Sequence, residues 1–109
     1  MANSHDTPEG RLMQTIAIWC GERGYMSFRC NAGTFLSADG SRYVVGLPRG
    51  FSDMLILKPG GQAAFVETKI HPRKPTDEQV RFISAVRSYG FRAGVAYSLE
   101  DAKKIIEGE

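Results

Sequence analysis

Three residues in the stretch Phe51 to Lys69 have types and spacing suited to chemistry: Asp53, Glu67 and Lys69. Each sits at the end of a strand-like run, and a tight-turn segment, Pro59-Gly60-Gly61, separates the runs. Side chains alternate along a strand, so Glu67 and Lys69 share one face while Thr68 faces the other. A three-residue loop pairs Lys58 with Gln62, and counting back places Asp53 opposite Glu67 on the same face. A slip of one residue sends Asp53 to the far face and removes the constellation.

Two carboxylates opposed across a strand pair have Cβ atoms about 4.5–5.5 Å apart. Unscreened they repel, and one tends to keep a proton. A divalent cation removes that conflict, and hard oxygen ligands with open positions suit Mg²⁺ or Mn²⁺. An ammonium beside them stabilises developing negative charge. Such a set matches the needs of phosphodiester hydrolysis. The competing reading of the same residues is a solvated Glu67–Lys69 ion pair with an unrelated Asp53.

The elements that must hold these residues follow from pattern. Residues 1–6 read as a disordered lead-in. Thr7, Pro8 and Glu9 form a helix start, and Leu12, Ile16 and Cys20 continue it as an apolar stripe that stops near Gly24. The segment 25–30 reads as a strand, and 34–46 as a hairpin turning at Asp39-Gly40. Residues 53–57 and 63–69 form the strand pair described above. Thr76 caps a second helix, with Val80, Ile83 and Val86 inward, Phe82 and Tyr89 flanking and Gly90 as its stop. A last strand over 92–98 leads to a final helix opened by a Ser98…Asp101 capping box. The order specifies one mixed α/β domain over residues 7–109, built around a single sheet.

Composition restricts the function classes. The 109 residues carry 42% hydrophobic and 24% charged side chains, which excludes global disorder. No apolar run approaches the roughly 20 residues of a membrane span, and no signal-peptide layout is present, so a cytoplasmic protein without membrane contacts is expected. Cys20 and Cys30 lack zinc-ligand spacing and are expected to be reduced thiols. The net charge of +2 is small, but Arg42 and Arg49 precede Asp53, and Lys69, Arg73, Lys74, Arg81, Arg87 and Arg92 follow Glu67. Such a stripe suits a phosphate backbone or is plain solvated charge. His5 and His71 fall in loops with no partner visible in sequence, and Trp19 and Phe82 read as core or interface residues.

The Ser52-Asp53 and Glu67-Thr68-Lys69 motifs resemble the PD-(D/E)xK nuclease signature. The flanking segments FRCNAG (28–33), GLPRGFSDML (46–55), FVETK (65–69) and TDEQ (76–79), preceded by a helical Glu9, resemble the virus-type replication-repair nuclease (VRR-NUC) domain. The likeness covers about residues 9–98. It implies a restriction-endonuclease-like α/β fold: a central mixed sheet flanked by helices, in the order α-β-β-β-α-β-α with an extra hairpin. It also implies a Mg²⁺- or Mn²⁺-dependent endodeoxyribonuclease. Asp53, Glu67 and the Thr68 carbonyl would bind metal, Lys69 would be the catalytic lysine, and Glu9 and Gln79 would complete the pocket. Gln79 also stands where a capping box needs it, three residues after Thr76. Arg29, Asn31, Arg49, Arg73 and Lys74 are candidate DNA contacts. Stand-alone members resemble Holliday-junction resolvases acting as homodimers on branched double-stranded DNA, with no small-molecule cofactor. That is the leading reading. A flap or nicking nuclease, monomeric or partnered, and a catalytically silent nucleic-acid-binding module are the alternatives. One departure is Ser52, where the family pattern usually has Pro.

Overall fold

The computed structural model describes residues 7–108; the expected lead-in over 1–6, with His5, lies outside the described residues. Helix α1 (Pro8–Glu22) is followed by β1 (Met26–Arg29), a β2 (Thr34–Leu36) and β3 (Tyr43–Val45) hairpin, then β4 (Met54–Lys58) and β5 (Gln62–Thr68). Helix α2 (Asp77–Ser88), strand β6 (Arg92–Ala96) and helix α3 (Leu99–Glu107) complete the domain. The main sheet has the order β1-β4-β5-β6, with antiparallel β1–β4 and β4–β5 pairs and a parallel β5–β6 pair. This is the mixed central sheet with an extra hairpin that the family resemblance implies, and the β2–β3 hairpin forms a two-stranded sheet of its own rather than joining the single sheet read from the element order.

Strand alternation sorts the side chains onto two layers. Met54, Ile56, Ala64, Val66 and Ala96 pack against Met13, Ile16 and Cys20 of α1 and Ala102 and Ile106 of α3. On the other face Phe65 and Val95 pack against Ile83, Val86 and Phe82 of α2. Phe51 extends that layer, its ring centroid 4.6 Å from Phe82 and 6.0 Å from Phe65. By the same alternation Glu67, two residues after Phe65, points to the α2 face.

The β4–β5 register is the expected one: Lys58 pairs with Gln62 and Met54 with Val66. Gly60 and Gly61 have φ of +87° and +76°, the left-handed geometry that the short loop demands. Gly50 is needed for a different reason, since a Cβ there would stand 2.5 Å from the Glu78 carbonyl oxygen. The loop that leads to Asp53 is thereby pressed onto the first turn of α2.

Three expectations need correcting. Val80 is half-exposed rather than inward, because the apolar face of α2 is narrow and centred on Ile83 and Val86. Ser98 caps α3 by accepting from the Asp101 N–H at 3.1 Å, but the Asp101 carboxylate accepts from the Tyr97 N–H, one residue beyond the capping-box position. Tyr89 is the C-cap of α2 and is exposed, not packed along its flank. Cys20 and Cys30 are free thiols, and no described helix is long and apolar enough to cross a membrane.

Candidate active site

The site forms where β4 begins and β5 ends. Ser52 is buried, and its hydroxyl donates to the Met54 carbonyl at 3.0 Å, fixing the chain at the entry to β4. The β4–β5 ladder stops at Met54–Val66, one residue short of Asp53. Beyond that point the Asp53 carboxylate takes over the acceptor role. Its Oδ2 receives the Thr68 N–H at 3.0 Å and the Thr68 hydroxyl at 2.8 Å. A residue expected to face away therefore grips Asp53 through both of its donors. Asp53 lies past the end of the ladder, so its side chain can meet Thr68 without obeying strand alternation.

Glu67 is 2% exposed and Lys69 7% exposed, so their pairing at 3.7 Å is a buried one and not a solvated surface pair. Burial of this kind costs more than surface pairing and is retained only with close compensation. Gln79 provides part of it: its Nε2 donates to Glu67 Oε2 at 2.9 Å. The same amide accepts the Thr76 N–H at 2.9 Å through Oε1 and so closes the α2 capping box. Capping and site support are one side chain's work.

The other oxygen of Glu67 is different. Glu67 Oε1 is buried and has no hydrogen-bond partner. Burial, with the neighbouring Asp53 charge adding to it and Lys69 opposing, pushes the Glu67 carboxyl up to about 8. An orphaned, buried carboxylate oxygen beside a second carboxylate is poorly satisfied by protein alone.

Asp53 and Gln79 line a cleft of about 320 Å³ together with Arg29, Asn31 and Met13. Arg29 and Asn31 thus share the cleft with Asp53. Arg49 is exposed beside Gly50, and Lys74 is exposed on the loop after β5. Glu9 stands apart from that cleft: its carboxylate lies 3.5 Å from the Arg73 guanidinium, and both residues line a neighbouring concavity. His71 is exposed, as expected, but its ring stacks on Tyr97, a partner the sequence does not reveal.

A solved structure described as a VRR_NUC domain superposes on this chain with a TM-score of 0.66 and 27% sequence identity, covering 93% of this chain and 96% of that one. The fold is that of a VRR-NUC nuclease domain. No protein-family profile and no curated protein matches the sequence. At the β4–β5 junction of this fold Asp53, Glu67 and Lys69 come together, and the residue of that junction that strand alternation conceals is Thr68. Its identity between Glu67 and Lys69 is the available signal, because a hydroxyl there can serve an acid just beyond the neighbouring strand.

Proposed function

We propose that this VRR-NUC domain is a divalent-cation-dependent endonuclease that hydrolyses phosphodiester bonds in branched DNA, acting as a homodimeric four-way-junction resolvase. The observation that carries the reading is the buried, unpartnered Glu67 Oε1 beside Asp53. The donor set suits a hard cation: two carboxylates, with the Thr68 carbonyl as the third candidate ligand. Mg²⁺ or Mn²⁺ held there would supply charge neutralisation and acidify an attacking water.

The chain's own residues supply the rest. Thr68 holds the Asp53 carboxylate through two hydrogen bonds, and Gln79 fixes Glu67, so both acids are oriented before substrate arrives. Lys69 brings a buried positive charge to the same point, where it stabilises the negative charge that grows on a phosphate during hydrolysis. Arg29 and Asn31 at the cleft wall hold the scissile strand, while Arg49 and Lys74 contact flanking phosphates and Arg73 meets the DNA from the neighbouring concavity. Glu9 acts from the edge of the pocket, through Arg73.

One domain holds one such site, and resolving a junction needs two paired cuts, which two-fold symmetry supplies. The β2–β3 hairpin supports pairing. It stands outside the main sheet, and Leu36, Tyr43 and Val45 on one of its faces are 60%, 73% and 79% exposed. A two-stranded hairpin with an uncovered apolar face gains little stability by itself and is covered well by a second copy.

The test is cleavage of a panel of junction, flap, nicked and single-stranded DNA, with and without Mn²⁺. Wild type should cut the junction symmetrically only with the cation. Asp53→Ala should be inactive, and Lys69→Ala should bind DNA but lose about 10²–10³-fold in rate. Wild-type cleavage by Lys69→Ala, or cleavage indifferent to metal, overturns the assignment.

A further inference from the structure

The second cleft beside the site has a composition that phosphate chemistry does not explain. It holds about 390 Å³, a volume typical of small-ligand sites, and is walled by Pro8, Glu9, Ile70, His71, Pro72 and Arg73. Most of that wall is apolar or flat, with one carboxylate and one guanidinium set into it. The His71 ring stacks on Tyr97 with centroids 4.0 Å apart and planes 13° from parallel. The Tyr97 hydroxyl donates to the Arg73 carbonyl at 2.9 Å, tying the stack to the same loop.

This cleft begins where the active site ends. The Lys69 N–H donates to the Ala96 carbonyl at 3.0 Å, so Ile70-His71 and Tyr97 leave the sheet side by side. His71 is two residues past Lys69, at most about 7 Å along the chain.

We infer that the His71–Tyr97 stack and the adjoining cleft form a binding site for one unpaired nucleobase of the DNA substrate, next to the scissile phosphate. This rests on the reading of the domain as a DNA nuclease and adds to it a means of sensing a branch. An exposed aromatic ring already stacked on one side accepts a base as the next member of the stack, whatever its sequence. Glu9 offers acceptors and Arg73 offers donors, the complement of a base edge that carries both. A base in a continuous duplex has its faces covered and its pairing edge occupied, so the cleft selects for bases freed at a branch or gap.

The test uses 2-aminopurine placed either as an unpaired nucleotide at a branch or fully paired in a nicked duplex, with binding followed by fluorescence in metal-free buffer. The 109-residue wild-type chain should quench the unpaired probe and bind that DNA more tightly. His71→Ala should weaken binding to the unpaired probe by roughly fivefold or more, the low end of one lost base–aromatic stack, and leave the paired duplex unchanged. His71→Phe, which keeps a stacking ring, should restore it. Equal affinity of wild type and His71→Ala for both DNAs, or a uniform loss on both, overturns the proposal. Base preference without cleavage in any divalent cation refutes the nuclease reading and leaves this one standing. Cleavage without base preference does the reverse.

Discussion

Gln79 and Glu67 are joined by a 2.9 Å hydrogen bond from the Gln79 amide nitrogen, while the oxygen of that amide caps helix α2 at Thr76. The start of a helix and the end of a strand are thus locked through one planar group. Anything that moves α2 moves Glu67.

The two duties of Gln79 can be separated by substitution. Gln79→Ala loses both, and should lower stability by about 1 kcal/mol and activity by about 10–100-fold. Gln79→Glu keeps an acceptor for Thr76 but sets a carboxylate against Glu67. It should retain the helix cap and still lose activity. Chemical denaturation alongside junction cleavage reads both effects. Equal activity in wild type and Gln79→Glu would show that the amide donor is not required.

Thr68→Val is nearly isosteric and keeps the backbone donor to Asp53, but removes the hydroxyl donor. The expected stability loss is about 1 kcal/mol. Metal affinity should fall about 10–100-fold, because Asp53 is then held by one bond instead of two. Calorimetric titration with Mn²⁺ checks it, and an unchanged affinity removes Thr68 from the account.

Much of this site can be read before folding. The Pro59-Gly60-Gly61 loop sets the β4–β5 register, that register brings the start of β4, with Asp53 just before it, to the end of β5 that carries Glu67, and Thr76…Gln79 has capping-box spacing. Thr68 escapes such reasoning because alternation applies only within a paired ladder, and Asp53 lies beyond its end. Val80 escapes because a 3.6-residue period marks a stripe but not its width. The hairpin escapes for a third reason. Alternating apolar residues specify strands, but nothing local states whether the main sheet or another chain covers them.

The pH dependence follows from Glu67. Its carboxyl is raised to about 8 in the folded domain, chiefly by burial, against an ordinary value of 4.5. Between these values the folded state binds the proton that the unfolded state has lost. Stability of the metal-free domain should therefore fall as pH rises from about 5 to about 8, and level off above, by an amount on the order of a few kcal/mol. Glu67→Gln should flatten that slope. Urea unfolding at several pH values in a chelating buffer measures it, and a wild-type slope indistinguishable from that of Glu67→Gln contradicts the assigned cause.

Leu36→Lys combined with Val45→Lys places charge on the exposed face of the β2–β3 hairpin. Because both side chains already lie largely in solvent, folding stability should change by no more than about 0.5 kcal/mol each. Light scattering should show a wild-type dimer become a monomer, with paired junction cuts replaced by single nicks. A double variant that remains dimeric assigns the interface to another surface.

The reading as a whole depends on one cation gripped jointly by Asp53 and Glu67, and thermal unfolding with and without Mn²⁺ tests that grip directly. At a hundredfold excess over Kd, bound metal stabilises by about 2.7 kcal/mol, which in a domain of this size corresponds to a Tm rise of roughly 8 °C or more. The account predicts this rise for wild type, and its loss in both Asp53→Asn and Glu67→Gln. A rise of equal size in either variant, or none in wild type, contradicts it.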